Sequence, residues 1–147
     1  MKFQIIEPRK LNDAWPIVGP LLNKAVSLSN HKLNIDDLKQ HCDAGAYLCW
    51  AVIDDGQIIA AVTSRIIDYP QSKALSMDFV GGSRMREWLP LAVAELKKHA
   101  KRNDCTSFEA YGRKAWARWL KPYGWMPTEM TYEMDLTNGQ KQQANHN

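Results

Sequence analysis

Ala74-Leu75-Ser76-Met77-Asp78-Phe79-Val80-Gly81-Gly82-Ser83-Arg84-Met85-Arg86-Glu87-Trp88 changes its hydrophobic period half-way along. Its first seven residues alternate, with Leu75, Met77 and Phe79 on one face, which predicts a strand. Gly81-Gly82 ends that pattern. From Met85 the apolar residues Met85, Trp88, Leu89, Ala92, Leu96 and Ala100 recur at helical spacing, with Ser83 as the expected cap. Lys97, Lys98, Lys101 and Arg102 fall in the final turns, where cations suit the negative helix end. Pro90 is expected to bend this helix slightly. A helix that starts just after two glycines presents unpaired N–H groups and roughly half a unit of positive charge. It is therefore a candidate anion site, reinforced by Arg84 and Arg86. The alternative is an ordinary cap flanked by solvated arginines.

Outward from this junction the chain reads as alternating short strands and helices. Lys2 to Glu7 predicts a first strand that stops at Pro8. Asn12 or Asp13 is expected to cap a helix carrying Trp15, Val18, Leu22 and Val26, with Pro16 in its first turn and Pro20 kinking or shortening it. Asn34 is the candidate cap of a second helix with Leu38 and Cys42 on one side and Gly45 as its stop. Ala46–Ile53 and Gln57–Ile67 predict two antiparallel strands joined at the turn signal Asp55-Gly56. After the long helix, Cys105–Tyr111 predicts a strand, Arg113–Leu120 a short helix and Thr128–Leu136 a final alternating strand. The last eleven residues, 137–147, hold one alanine and no other aliphatic or aromatic side chain, so a disordered tail is expected after one domain spanning 1–136.

The 147 residues are 45% hydrophobic, enough for one sizeable core and too few for two ordinary domains. No window reaches the roughly 20 apolar residues of a membrane span, and the N-terminus lacks a signal peptide's apolar stretch, so a soluble cytoplasmic protein is expected. Cys42, Cys49 and Cys105 form an odd set without CxxC or Cys/His spacing, which argues against a disulfide framework and a metal site. The net charge of +3 is mild. Arg84, Arg86, Lys97, Lys98, Lys101, Arg102, Arg113, Lys114, Arg118 and Lys121 interleave with Trp88, Trp116, Trp119 and Trp125, yet no nucleic-acid motif accompanies them. Solvated helix faces are the expected reading.

This order of elements resembles the GNAT (acyl-CoA N-acyltransferase) superfamily over residues 2–136. The residues that carry the likeness are Met77 to Trp88 and the closing module Phe108 to Trp125, with Gly124-Trp125 where the family usually has Gly-Phe. The resemblance implies a single α/β domain with a mostly antiparallel mixed sheet of six to seven strands flanked by helices. It implies acetyl-CoA as cosubstrate, lying where two strands splay, with its pyrophosphate on backbone amides before the long helix. On this chain those positions are Val80, Gly81, Gly82, Ser83, Arg84, Met85 and Arg86, and a further cofactor-contacting position falls on Arg113. Two departures stand out. The junction is several residues shorter than the family's loop, and the position of the thiolate-protonating tyrosine falls on Leu120, which has no proton to donate.

An amine acceptor requires a nearby base. Asp78 is the only acidic residue on the candidate strand, and Glu109 on the neighbouring one is the second candidate. Tyr111 and Tyr123 are the candidate proton donors in place of Leu120. A surface aspartate and packing tyrosines are the alternatives. His31, His41 and His99 are expected as exposed polar side chains. Two functions stay open: direct acyl transfer to an amine, and a fold retained as a binding or structural module with a protein partner. For the second, the Gly-Gly-Ser junction and the Gly-Arg…Trp…Leu-Lys-Pro…Gly-aromatic ending resemble small GNAT-like proteins of tailed bacteriophages, implying the host cytoplasm or the virion. Nothing in the sequence speaks to oligomeric state.

Overall fold

The computed structural model describes residues 1–28, 32–112 and 116–137. Contacts divide the chain into two compact units, Met1–Gly112 and Arg113–Asn147. The first unit contains β1 (Lys2–Ile5), α1 (Leu11–Val26), α2 (Ile35–Asp43), β2 (Leu48–Asp54), β3 (Gln57–Asp68), β4 (Lys73–Gly82), α3 (Met85–Arg102) and β5 (Ser107–Ala110). The five strands form one sheet in sequence order, antiparallel except for the parallel β4–β5 pair.

Local chemistry explains most boundaries. Asp55 and Gly56 both take positive φ (51° and 75°), the geometry of a two-residue hairpin turn between β2 and β3. At the start of α2, the Asp37 N–H donates to Asn34 Oδ1 (2.8 Å) and the Asn34 N–H donates to Asp37 Oδ2 (2.9 Å), a reciprocal capping box. The start of α1 differs from expectation. A 3-10 turn, Pro8–Lys10, runs directly into Leu11, so Asn12 and Asp13 lie inside the helix and neither caps it. Asn12 instead accepts from Lys39 Nζ of α2 at 2.6 Å. Both Pro16 and Pro20 sit within α1, which nevertheless continues to Val26. Magnitudes account for this: an interior proline costs about 3 kcal/mol, whereas the four buried side chains Leu11, Val18, Leu22 and Val26 contribute roughly 1.5–3 kcal/mol each.

The two faces of the sheet are assigned by adjacent residues of β2, which point to opposite sides. Cys49 joins the cluster of Leu11, Val18, Leu22, Val26, Leu38 and Cys42 from α1 and α2. Trp50 turns the other way, stacks on Phe3 at 5.1 Å, meets His99 of α3 edge-on at 5.4 Å and donates from Nε1 to Ser64 Oγ at 2.8 Å. His99 is therefore half-buried and not the exposed side chain expected.

Three further expectations are corrected. Among the described residues the sheet has five strands, not six to seven, and Thr128–Leu136 forms none. Its alternation meets the period of a strand, but Met130, Tyr132, Met134 and Leu136 are all exposed. β4 does not stop at Val80. It stays paired with β3 through Ala61↔Gly81 and Ala60↔Gly82. Ser83 does not cap α3, because the cap position is Arg84 in the left-handed region (φ 60°) without a side-chain cap bond.

The second unit contains α4 (Trp116–Leu120) and a 3-10 turn, Lys121–Tyr123, closed by Gly124 at φ +87° with its N–H on Lys121 O (3.1 Å). The short helix and glycine turn follow the sequence reading. Among the described residues, no helix is long and apolar enough to cross a membrane.

Candidate active site

The site is built around an irregularity in β4. Met77 pairs with Ser64 and Phe79 with Thr63, so Asp78 is an extra residue without an opposite number on β3. Such a bulge re-aims the side chain next to it. The Phe79 N–H is satisfied by a side chain, donating to Thr63 Oγ1 at 3.2 Å. On the other edge of β4, parallel pairing with β5 ends at Met77↔Ala110, with one further bond from the Tyr111 N–H to Met77 O at 3.3 Å. From Phe79 to Gly82 the strand is paired with β3 and, among the described residues, not with β5.

Register brings a polar row onto one face. Arg65, Ser76 and Glu109 stand opposite one another on β3, β4 and β5, and residues opposed in register share a face. Asp78 extends the row beyond Ser76, to which it is bonded, and Tyr111 stands two residues beyond Glu109. The Asp78 side chain is only 6% exposed, yet both oxygens are engaged: Arg65 Nε donates to Oδ2 at 2.6 Å and Ser76 Oγ donates to Oδ1. Tyr47, just before β2, lies under the Arg65 guanidinium at 5.6 Å from the ring centre. Burial, and then the Asp78 charge, raise its phenol pKa above the ordinary value. Tyr69, beyond β3, donates its hydroxyl to Glu109 at 2.9 Å, and that bond pushes its pKa up to about 12. The face thus carries two carboxylates, one guanidinium and three phenols.

The residues proposed for the anion site are deployed differently. A Cβ on Gly81 would lie 1.8 Å from Leu21 O of α1, and one on Gly82 2.4 Å from Ala60 Cα. The Ser83 N–H donates to Ile59 O at 3.1 Å, while its carbonyl accepts from Trp88 Nε1 at 2.8 Å. Arg84 donates from Nε and Nη2 to Glu87 (2.7 and 3.1 Å) and from Nη1 to Asp54 (2.6 Å). Val80 is half-buried on β4, Met85 opens α3 and Arg86 is exposed in its first turn. Of the catalytic candidates, Asp78, Glu109 and Tyr111 share the polar face, while Tyr123 belongs to the second unit. Arg113 lies outside the described residues, as do His31 and Lys114. Trp88 is 1% exposed, which leaves it no face on which a nucleic-acid base could stack.

No protein-family model matches the chain, and no curated protein matches it by sequence. Solved structures do match. A ribosomal-protein-alanine N-acetyltransferase from Brucella melitensis biovar Abortus 2308 superposes with a TM-score of 0.70 at 10% identity, covering 92% of this chain and all of that one. The fold is that of the GNAT acetyltransferases. An aminoglycoside antibiotic 6'-N-acetyltransferase from Acinetobacter haemolyticus gives 0.66 at 15% identity over 94% of this chain and 99% of its own. A predicted acetyltransferase from Clostridium acetobutylicum, solved with acetyl-CoA, gives 0.62 at 14% identity over 92% and 96%. At these identities the likeness is one of GNAT fold.

Sequence reasoning missed Tyr47, Arg65, Tyr69 and Ser76. Ser76 was within reach, being two residues from Asp78 on a strand and so on the same face. The other three depend on strand register and on the bulge, which no local pattern announces.

Proposed function

We propose that this chain is an acyl-CoA-dependent N-acyltransferase that transfers an acyl group directly to an amine. The observation that carries the reading is the loss of β5 pairing beyond Met77, which leaves that edge of β4, beside the polar face at Asp78, without a strand partner among the described residues. An extended thioester arm fits along such an edge, where Val80 and Gly81 offer main-chain groups. The amine nitrogen attacks the thioester carbonyl carbon, the tetrahedral oxyanion collapses, and the C–S bond breaks to give amide and thiolate. Proximity on a rigid sheet supplies much of the rate. Glu109, whose bonds come from a neutral phenol, is the carboxylate placed to take the ammonium proton. Asp78, held by Arg65 and Ser76, orients the acceptor and balances charge. Tyr111, 59% exposed at the end of β5, is the donor to the departing thiolate. Tyr123 is the second candidate for that proton.

The test is thiol release from acetyl-CoA across a panel of amines, with Glu109→Gln and Asp78→Asn compared with the parent. Loss of general-base help is expected to lower kcat by about 10²- to 10⁴-fold. Absence of turnover with every acyl-CoA, or Glu109→Gln and Asp78→Asn variants of full activity, overturns the reading.

A second reading is favoured by Leu120 at the donor position and by the complete engagement of Arg84: a GNAT fold kept as a binding or structural module, of the kind that resembles small phage proteins. It predicts one stable protein partner whose binding is indifferent to Glu109→Gln and Asp78→Asn.

A further inference from the structure

We infer that the acyl donor is recognised through its pantetheine arm along β4, and that the β4–α3 junction does not grip its diphosphate. The inference rests on the transferase reading above and narrows the donor to acyl-pantetheine thioesters, whatever their nucleotide end. Four observations carry it. Gly81 and Gly82 are occupied by close packing against α1 and β3, because any side chain atom at either would overlap Leu21 O or Ala60. The Ser83 amide and carbonyl are both bonded within the protein. The Arg84 guanidinium meets two carboxylates through three of its nitrogens. The fourth is the placement of Glu87 in the first turn of α3, so the positive helix end already faces a protein carboxylate.

The electrostatic consequence is specific. A diphosphate at the start of α3 finds Arg84 already paired with Asp54 and Glu87. Breaking the Arg84 pairs would cost the charge-assisted bonds that hold them, so gain and loss nearly cancel. Pantetheine is different, a neutral extended chain with amide groups, and the edge of β4 from Asp78 to Gly82, which has no strand partner among the described residues, is complementary to it.

Isothermal titration of the full chain with acetyl-CoA, S-acetylpantetheine and adenosine 3',5'-bisphosphate tests this. Acetylpantetheine is expected to bind within about tenfold of acetyl-CoA, and the bisphosphate not at all at about 1 mM. Arg84→Ala should change acetyl-CoA affinity less than about twofold, whereas Asp54→Asn with Glu87→Gln, which frees Arg84, should tighten acetyl-CoA about fivefold and leave acetylpantetheine unchanged. Binding of the bisphosphate alone, or a tenfold or greater loss with Arg84→Ala, overturns the inference and leaves the transferase reading standing. Failure of acetyl-CoA and acetylpantetheine alike removes both.

Discussion

Arg65 and Asp78 are joined across β3 and β4 by a 2.6 Å ion pair at the point where the β-ladder between them is interrupted. The bulge and the pair belong together: the extra residue on β4 turns its carboxylate to where the Arg65 side chain can reach it. More than a third of Arg65 is exposed, so its charge is not stranded completely when its partner is removed. Asp78→Asn is therefore expected to destabilise by about 1–3 kcal/mol, below the 3–5 kcal/mol of a fully buried pair. Urea unfolding at neutral pH measures this. Arg65→Lys should recover little, because a point charge does not replace the planar donor lying over Tyr47.

His99 gives a pH dependence. Burial, reinforced by the Arg102 charge, lowers its pKa below the ordinary histidine value. The unfolded chain then binds the proton more readily than the folded one. The stability from neutral His99 is complete above the unfolded value of about 6.5 and is lost as pH falls through the folded value. Unfolding free energy measured from pH 8 down to about 5.5 should decline in the parent and flatten in His99→Gln.

Two kinds of glycine are distinguished by their surroundings. Gly81→Ala drives a methyl into Leu21 O and should destabilise by about 3 kcal/mol or more, or prevent folding. Gly45→Ala meets only open space, so its cost is the left-handed backbone alone, about 1 kcal/mol at φ +80°. Thermal melting of the two variants separates the effects.

Cys42 and Cys49 lie in the α1–α2 core, where burial pushes their thiols up to about 11 and about 12. Neither is a thiolate near neutral pH, so neither serves as a nucleophile. Native-state titration with a disulfide reagent should modify them only after denaturant is added, with the half-buried Cys105 reacting first.

Much of the first unit was legible because its signals are local. The capping box at Asn34 needs only residues three apart, the Asp55-Gly56 turn needs only two that tolerate positive φ, and the stripe from Trp88 to Ala100 repeats at a helical period. Local signals also misled where tertiary burial outweighed them. α1 continues past two exposed prolines because its other face is buried, and β4 continues past Val80 because Gly81 and Gly82 let two backbones approach.

The sequence by itself determined the order of elements from β1 to β5, the resemblance to a GNAT-like α/β chain and the choice of Asp78, Glu109 and Tyr111 as candidate residues. Only the tertiary structure decided which residues face one another. Arg65, Ser76 and Glu109 form a row because three strands align in a register with a one-residue bulge, and a one-residue slip would send the row to the opposite face. Arg84 likewise looks free in the sequence and is saturated in the fold, because Asp54, thirty positions earlier, is brought beside it by the β2–β3 hairpin. Side-chain period is a property of neighbours in the chain; charge compensation is a property of neighbours in space.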